Sequence, residues 1–183
     1  MKKVVSLFLL VILLFATFIF VKYSFDSPQV QQSPSRSLKL MSPEFLEKEF
    51  IPDKYTCNGQ NTNPPLIIQN IPQNTASFVL IVDDLNSRPE KWIHWILFNI
   101  PAETQIIAEN SFPAGAVSAL NSWGKNNYGG PCPPFGTHNY VFRLYALKTN
   151  LDLDQTATRQ QVESAMQDNI LDETTLTGLY SSK

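Results

Sequence analysis

The sequence predicts a mainly β protein built as a single domain behind an N-terminal hydrophobic segment. Three observations carry that reading. Thirteen prolines and twelve phenylalanines among 183 residues favour a loop-rich, strand-dominated chain over a helical bundle. Three apolar runs rich in β-branched and aromatic residues are bounded by turn residues: 78–83 (F-V-L-I-V-D), 92–100 (W-I-H-W-I-L-F-N-I) and 140–147 (Y-V-F-R-L-Y-A-L). Pro72, Pro89 and Pro101 punctuate them, and only one segment has a convincing helical spacing.

The first residues read as targeting rather than fold. Lys2 and Lys3 precede residues 4–21, an uninterrupted apolar run without a charge. As a helix at ~1.5 Å per residue the run would reach roughly 27 Å, close to the hydrocarbon thickness of a bilayer. That exceeds the ~7–15 residue core of a cleaved signal, and no A-x-A site follows. Residues 1–22 are therefore a signal anchor or a signal peptide, and both place the rest of the chain outside the inner membrane, in the periplasm, anchored or released. The basic residues ahead of the run keep the N-terminus cytoplasmic. No cysteine lies near enough for lipid attachment. Residues 23–41 are rich in Ser, Pro and Gln and read as a linker, so the domain is expected over 42–183. A net charge of −2 with 16% charged residues leaves no basic stripe, which excludes a nucleic-acid partner.

Near the C-terminus, Thr158 and Gln161 fit a capping box. Val162, Ala165, Met166 and Ile170 follow at helical spacing, as in a helix that covers a core.

The chemistry concentrates in residues 129–140, G-G-P-C-P-P-F-G-T-H-N-Y. Proline fixes φ and glycine admits φ > 0, so this run forms a stiff, specifically bent loop. His138 and Tyr140, two apart at the entry of a strand, share a face. The other histidine, His94, has the strand parity of Trp92, Ile96 and Phe98; a hydrogen-bonded core residue and a ligand-binding one both fit that row. Asp83 and Asp84 end a strand before a proline turn, equally suited to a plain turn or to a site.

In combination these residues resemble a known family. Cys57-Asn58-Gly59-x-Asn61-x-Asn63-Pro64-Pro65-Leu66 is similar to the C-[DN]-G-x-N-x-S-P-P-L signature of phosphatidylethanolamine-binding proteins, in particular their bacterial Raf-kinase-inhibitor-like branch. The order continues through V-D-D, W-x-H-W, N-I-P, Y-G-G-P-C-P-P-x-G-x-H-x-Y and L-x-G-x-Y, from about Ser42 to Tyr180. The resemblance implies antiparallel sheets with Greek-key-like connections, a few peripheral helices, and a small anion pocket. Carried over position by position, Asp84, His94, His138 and Tyr140 line that pocket. Pro133, Pro134 and Gly136 shape its wall, and Tyr180 borders it.

The chain departs from the pattern in two places. The family's D-P-D-A-P turn reads D-L-N-S-R-P here, with Leu85 for proline, Asn86 for the second aspartate and Pro89 displaced by one. The arginine usual between the late His and Tyr is Asn139. An acid lost at one position and a base lost at the other would be linked if the two normally pair across the mouth. Cys57 and Cys132 both lie in family loop motifs; a disulfide and two buried free thiols are both open.

The function expected is non-catalytic binding of a small anionic or phosphate-bearing ligand, such as a phospholipid headgroup, with no cofactor. Two imidazoles and a phenol would supply hydrogen-bond donors. A protein partner is the alternative, with the domain modulating a protease or kinase. A metal-dependent enzyme using Asp84, His94 and His138 is a third reading, since two histidines and a carboxylate are a metal-ligand set. No G-x-S-x-G nucleophile elbow and no H-E-x-x-H motif occurs. The membrane enters as a partner only through the N-terminal segment.

Overall fold

In a computed structural model of the protein, residues 37–182 are described. The apolar run at 4–21 and most of the linker lie outside them. Among the described residues no helix is long and apolar enough to cross a membrane.

The domain starts before Ser42. Leu38 and Leu40 are buried, and β1 (Lys39–Met41) pairs antiparallel with β3 (Leu66–Gln69), which pairs with β6 (Ile106–Ile107). The end of the expected linker is therefore sheet, because alternate leucines in S-L-K-L give one apolar face. A second sheet has the order β2-β9-β8-β4-β5-β7, from β2 (Glu49–Phe50), β4 (Ser77–Asp84), β5 (Trp92–Pro101), β7 (Val117–Ser118), β8 (Thr137–Leu147) and β9 (Ile170–Ser181). β2 runs parallel to β9, so this sheet is mixed rather than wholly antiparallel.

Two apolar clusters flank the larger sheet. One joins Leu40, Leu66, Ile68 and Ile107 of the small sheet to Phe78, Leu80, Val82, Trp95, Leu97 and Phe142 of the large one. The other holds Val79, Ile81, Ile96, Phe98 and Tyr145 against Val162 and Met166. Those last two come from α1 (Arg159–Met166), the one α-helix among the described residues; two short 3-10 turns accompany it. Its capping box forms as expected, with Thr158 Oγ1 accepting from Gln161 N and Gln161 Oε1 accepting from Thr158 N at 2.8 Å. Ile170 is not on the helix. It opens β9, a strand whose first half is exposed and so carries no apolar alternation to read.

The acidic pair at the end of β4 is divided by strand alternation. Asp83 points toward the helix side, fully buried, where Arg159 holds both its oxygens at 2.8 and 3.1 Å. Asp84 points to the opposite face.

Candidate ligand-binding site

β4 lies between β5 and β8, and this neighbourhood assembles the site. Asp84 is in register with Trp92 on one side and Tyr140 on the other, two residues from His94 and His138 respectively. A carboxylate and two imidazoles from three adjacent strands thus meet at one sheet end.

His94 reaches it through a bulge. The β4–β5 register slips between Val82↔Trp95 and Asp83↔Ile93, leaving His94 as the extra residue. Strict alternation would have grouped His94 with Ile96 and Phe98. Instead those two pack on the helix side, while the His94 ring meets Tyr140 and Trp123 edge-on, each at 5.1 Å. His94 is both buried and part of the site.

Hydrogen bonds define each ring. His94 Nδ1 donates to the Gly129 carbonyl at 2.6 Å, which fixes the tautomer and leaves Nε2 with its lone pair in the neutral ring. Burial lowers its pKa from 6.5, opposed by the carbonyl and by Asp84, so the ring is neutral near pH 7. His138 Nδ1 donates to Asp84 Oδ2 at 2.7 Å, and both groups are buried. The other Asp84 oxygen accepts the backbone amides of Asn86 at 2.8 Å and Ser87 at 3.2 Å. The carboxylate is thereby satisfied on both oxygens. Among the described residues no hydrogen bond engages either imidazole Nε2.

The loop at 129–136 is stiff because it is tied down. Gly129 N donates to His94 O at 2.9 Å, Gly130 N to Asn61 Oδ1 at 2.7 Å, and Pro131 O accepts from Cys57 N at 3.1 Å. A Cβ on Gly130 would stand 2.5 Å from the Tyr55 carbonyl oxygen, so only glycine lets the loop approach this closely. Cys57 and Cys132 form a disulfide, with Cα atoms 5.5 Å apart. The bridge joins positions separated by 75 residues. Replacing both cysteines by serine should lower the unfolding free energy by about 2–4 kcal/mol, read by urea titration. An unchanged midpoint would show that the bridge adds nothing.

These elements enclose a cavity of about 680 Å³, within the roughly 300–1,000 Å³ range of ligand sites. Asp84, His94, His138 and Pro134 line it, together with both cysteines. Pro133, Gly136 and Tyr140, all expected there, do not. Gly136 has φ +67° and turns the loop into β8. Tyr140 lies under the site, its ring nearly parallel to His138 at 6.4 Å. Among the described residues its buried hydroxyl has no hydrogen-bond partner, and burial with Asp84 nearby raises its pKa, so it stays protonated. Tyr180 is not at the cavity: its hydroxyl donates to Asp53 Oδ1 at 2.9 Å and accepts from Asn58 Nδ2 at 2.8 Å.

Sequence reasoning missed much of the wall. Trp92, Trp123 and Phe135 supply aromatic surface, and Arg88 and Lys125 supply positive charge. Neither cation is in an ion pair among the described residues. Trp123 and Lys125 sit in a turn built by Asn121, whose Oδ1 accepts from both their amides at 3.0 Å. The segment N-S-W-G-K-N-N carries no periodicity, and an asparagine turn between two glycines' reach of the loop was its only signal.

The two departures from the family pattern touch each other. Asn86 Oδ1 accepts from Asn139 N at 2.8 Å and from Asn139 Nδ2 at 3.0 Å. Asn86→Asp or Asn139→Arg alone should therefore weaken folding or binding more than the pair together. The coupling should be about 0.5–3 kcal/mol, and simple additivity would separate the two positions.

The metal reading finds no support in this geometry. Among the described residues no group of three or more His, Cys, Asp and Glu side chains is placed to hold an ion. Asp84 already serves two amides and His138, and both Nδ1 atoms are spent.

The phosphatidylethanolamine-binding protein family matches residues 41–181. A UPF0098 protein of Methanothermobacter thermautotrophicus is 41% identical over 148 residues, covering 78% of this chain and 98% of the relative. One from Pyrococcus horikoshii is 41% identical over 155 residues, covering 80% and 78%. Among solved structures, a putative phosphatidylethanolamine-binding protein homolog from Chlamydia trachomatis superposes with a TM-score of 0.78 at 35% identity, over 81% of this chain and all of that one. E. coli YbcL, described as a member of the mammalian family, gives 0.76 at 29% identity, also over 81% of this chain and all of its own. The motifs, the fold and these relatives agree: the chain belongs to the phosphatidylethanolamine-binding protein family.

Proposed function

We propose that this chain binds a small phosphate-bearing or comparable acidic group in the 680 Å³ cavity, without transforming it, as an exported domain. One observation carries the reading. Asp84 is fully satisfied by two amides and His138, so its charge is spent inside the protein, while Arg88 and Lys125 line the cavity unpaired. Two cations against one neutralised carboxylate favour an anion.

The rings refine what kind of anion. Neutral His94 offers an acceptor, not the donor expected of it, so the favoured ligand brings one acidic proton to Nε2. A singly protonated phosphate monoester has that proton and retains charge for Arg88 and Lys125. The aromatic wall of Trp92, Trp123 and Phe135 suits the organic part of a headgroup. Binding rather than catalysis is favoured by what surrounds the dyad. The Ser87 hydroxyl lies 3.0 and 2.7 Å from the Asp84 and Glu90 carbonyls and accepts from Trp92 N, and the cysteines are bridged. Among the described residues, neither Ser87 nor either cysteine is free to act as a nucleophile beside His138.

The test is NMR of both histidine rings during addition of phosphate and phosphorylethanolamine. Both rings should shift saturably, and His138→Ala should weaken binding by about tenfold, the value of one charge-assisted hydrogen bond. Silence of both rings at millimolar ligand would sink the proposal.

A further inference from the structure

The wall of the larger cavity contains a bond that a thiol can cut. Cys57 and Cys132 are both exposed, both line the cavity, and are joined to each other. Exposed bridges are the labile ones, open to attack by a thiolate.

The neighbouring hydrogen bonds show what this bridge holds. Tyr128 Oη donates to Tyr55 O at 2.9 Å, Gly129 N to His94 O at 2.9 Å and Gly130 N to Asn61 Oδ1 at 2.7 Å. Pro131 O accepts from Cys57 N at 3.1 Å, and beyond the loop Ser182 N donates to Gly136 O at 3.0 Å. Between those two anchors the run P-C-P-P has a backbone N–H only at Cys132, because proline has none. Among the described residues no hydrogen bond is made by Pro133, Pro134 or Phe135. The bridge therefore ties down a stretch that its own composition keeps from being tied by hydrogen bonds. That stretch belongs to the site: Cys132, Pro134 and Phe135 line the cavity, and the Phe135 ring meets His138 edge-on at 6.2 Å. Pro133 is buried, so cutting the bridge loosens the stretch without expelling it.

We infer that Cys57–Cys132 is a thiol–disulfide exchange site, at which a dithiol reductant loosens residues 132–135 and weakens anion binding in the cavity. A thiolate of the dithiol attacks one cysteine sulfur, the S–S bond breaks, and the other cysteine leaves as a thiolate that takes a proton from water. The second thiol of the reductant gives its proton to water and displaces the first cysteine, which is protonated in turn. Two electrons pass to the protein: the bridge becomes two thiols and the dithiol becomes a disulfide. His94 keeps its bond to the Gly129 carbonyl and His138 its bond to Asp84, because both lie outside the loosened stretch. Reduction thus lowers affinity without removing the site. The effect on binding rests on the anion reading; the exchange itself does not.

The full-length chain, treated with dithiothreitol and then iodoacetamide, should carry two alkyl groups by mass spectrometry while its circular dichroism stays that of a folded domain. In NMR spectra the Phe135 amide should shift or broaden, and those of Gly129 and Gly130 should hold. Phosphorylethanolamine, followed at the His138 ring, should bind about tenfold more weakly to the reduced form, the cost of re-ordering the wall residues on binding. Reoxidation should restore the affinity. Cys57→Ser/Cys132→Ser should bind like the reduced form and ignore dithiothreitol. The inference is overturned if the bridge resists dithiothreitol until the domain is unfolded, if reduction itself unfolds the domain, or if the reduced form binds with parental affinity. Silence of the histidine rings in both forms would defeat the anion reading instead. The amides then decide, and an unmoved Phe135 signal overturns the loosening as well.

Discussion

Phosphorylethanolamine should bind about fiftyfold more tightly at pH 6 than at pH 8. The second ionisation of a phosphate monoester lies near pH 6, so about half is singly protonated there and about one part in a hundred at pH 8. Only the protonated form can donate to His94 Nε2. At the ring the protein-side effect runs the other way, because protonating His94 in acid removes the acceptor. Burial holds the His94 pKa below 6.5, so it remains an acceptor above that value and is not competing for the proton. A dianion-binding pocket would show the opposite slope. Dimethyl phosphate has no proton to lose in this range and should bind weakly with a flat profile. Calorimetry at several pH values separates the cases: a rise toward pH 8 refutes the protonated-ligand reading, and a parallel fall for dimethyl phosphate moves the titration to the protein.

Arg159→Met should destabilise the domain by about 3 kcal/mol at pH 7. The value sits at the lower end of the usual cost of stranding a buried charge, since Arg159 is itself 23% exposed. Asp83 is fully buried, and burial raises its pKa above 3.8 even with the guanidinium in place. Removing Arg159 takes away the largest lowering influence, so the folded pKa rises further. A raised folded pKa means the native state holds the proton more firmly than the unfolded chain. Its stabilising contribution is present in acid and is lost as pH climbs through the folded value. The variant should therefore recover relative to the parent between pH 7 and about pH 4, opposite to ordinary acid loss. Asp83→Leu/Arg159→Met should recover most of the deficit at every pH, because a buried pair replaced by apolar groups is often neutral. Urea titrations of the three proteins decide it. A pH-independent deficit would mean that Arg159 acts through the packing of its stem rather than through Asp83.

These two expectations come from opposite faces of the same strand end, and that division explains what could be read in advance. The strand around Phe78–Val82, the loop at 129–136 and the His138/Tyr140 pair are legible because each depends on local chemistry: a period of two, fixed and permissive φ values, and residues two apart. The capping box at Thr158 is legible for the same reason. The resemblance located Asp84, His94 and His138, and strand order then explains why they meet.

Other features were invisible along the chain because their causes are not local. The bulge at His94 arises from register against β4, and it separates a histidine from Ile96 and Phe98 that share its parity. Tyr180 matches a family motif, yet its hydroxyl is claimed by Asp53 and Asn58, 127 and 122 residues away. Arg88, Lys125 and Trp123 reach the cavity from turns whose shape depends on Asn121 and Ser87 hydrogen bonds. The protonation of His94 depends on the Gly129 carbonyl and on burial, neither of which a residue type can convey.

The sequence by itself determined a mainly β domain, its resemblance to a family, a rigid loop, and the identity of three residues that meet at one sheet end. Tertiary structure alone decided that Asp83 turns to the helix side and Arg159, that the cysteines are joined, and that His94 Nδ1 is held by the Gly129 carbonyl. The physical reason is common to all three. Strand periodicity and turn chemistry are properties of a few consecutive residues, whereas burial, register and hydrogen-bond partners are properties of whatever the fold brings alongside.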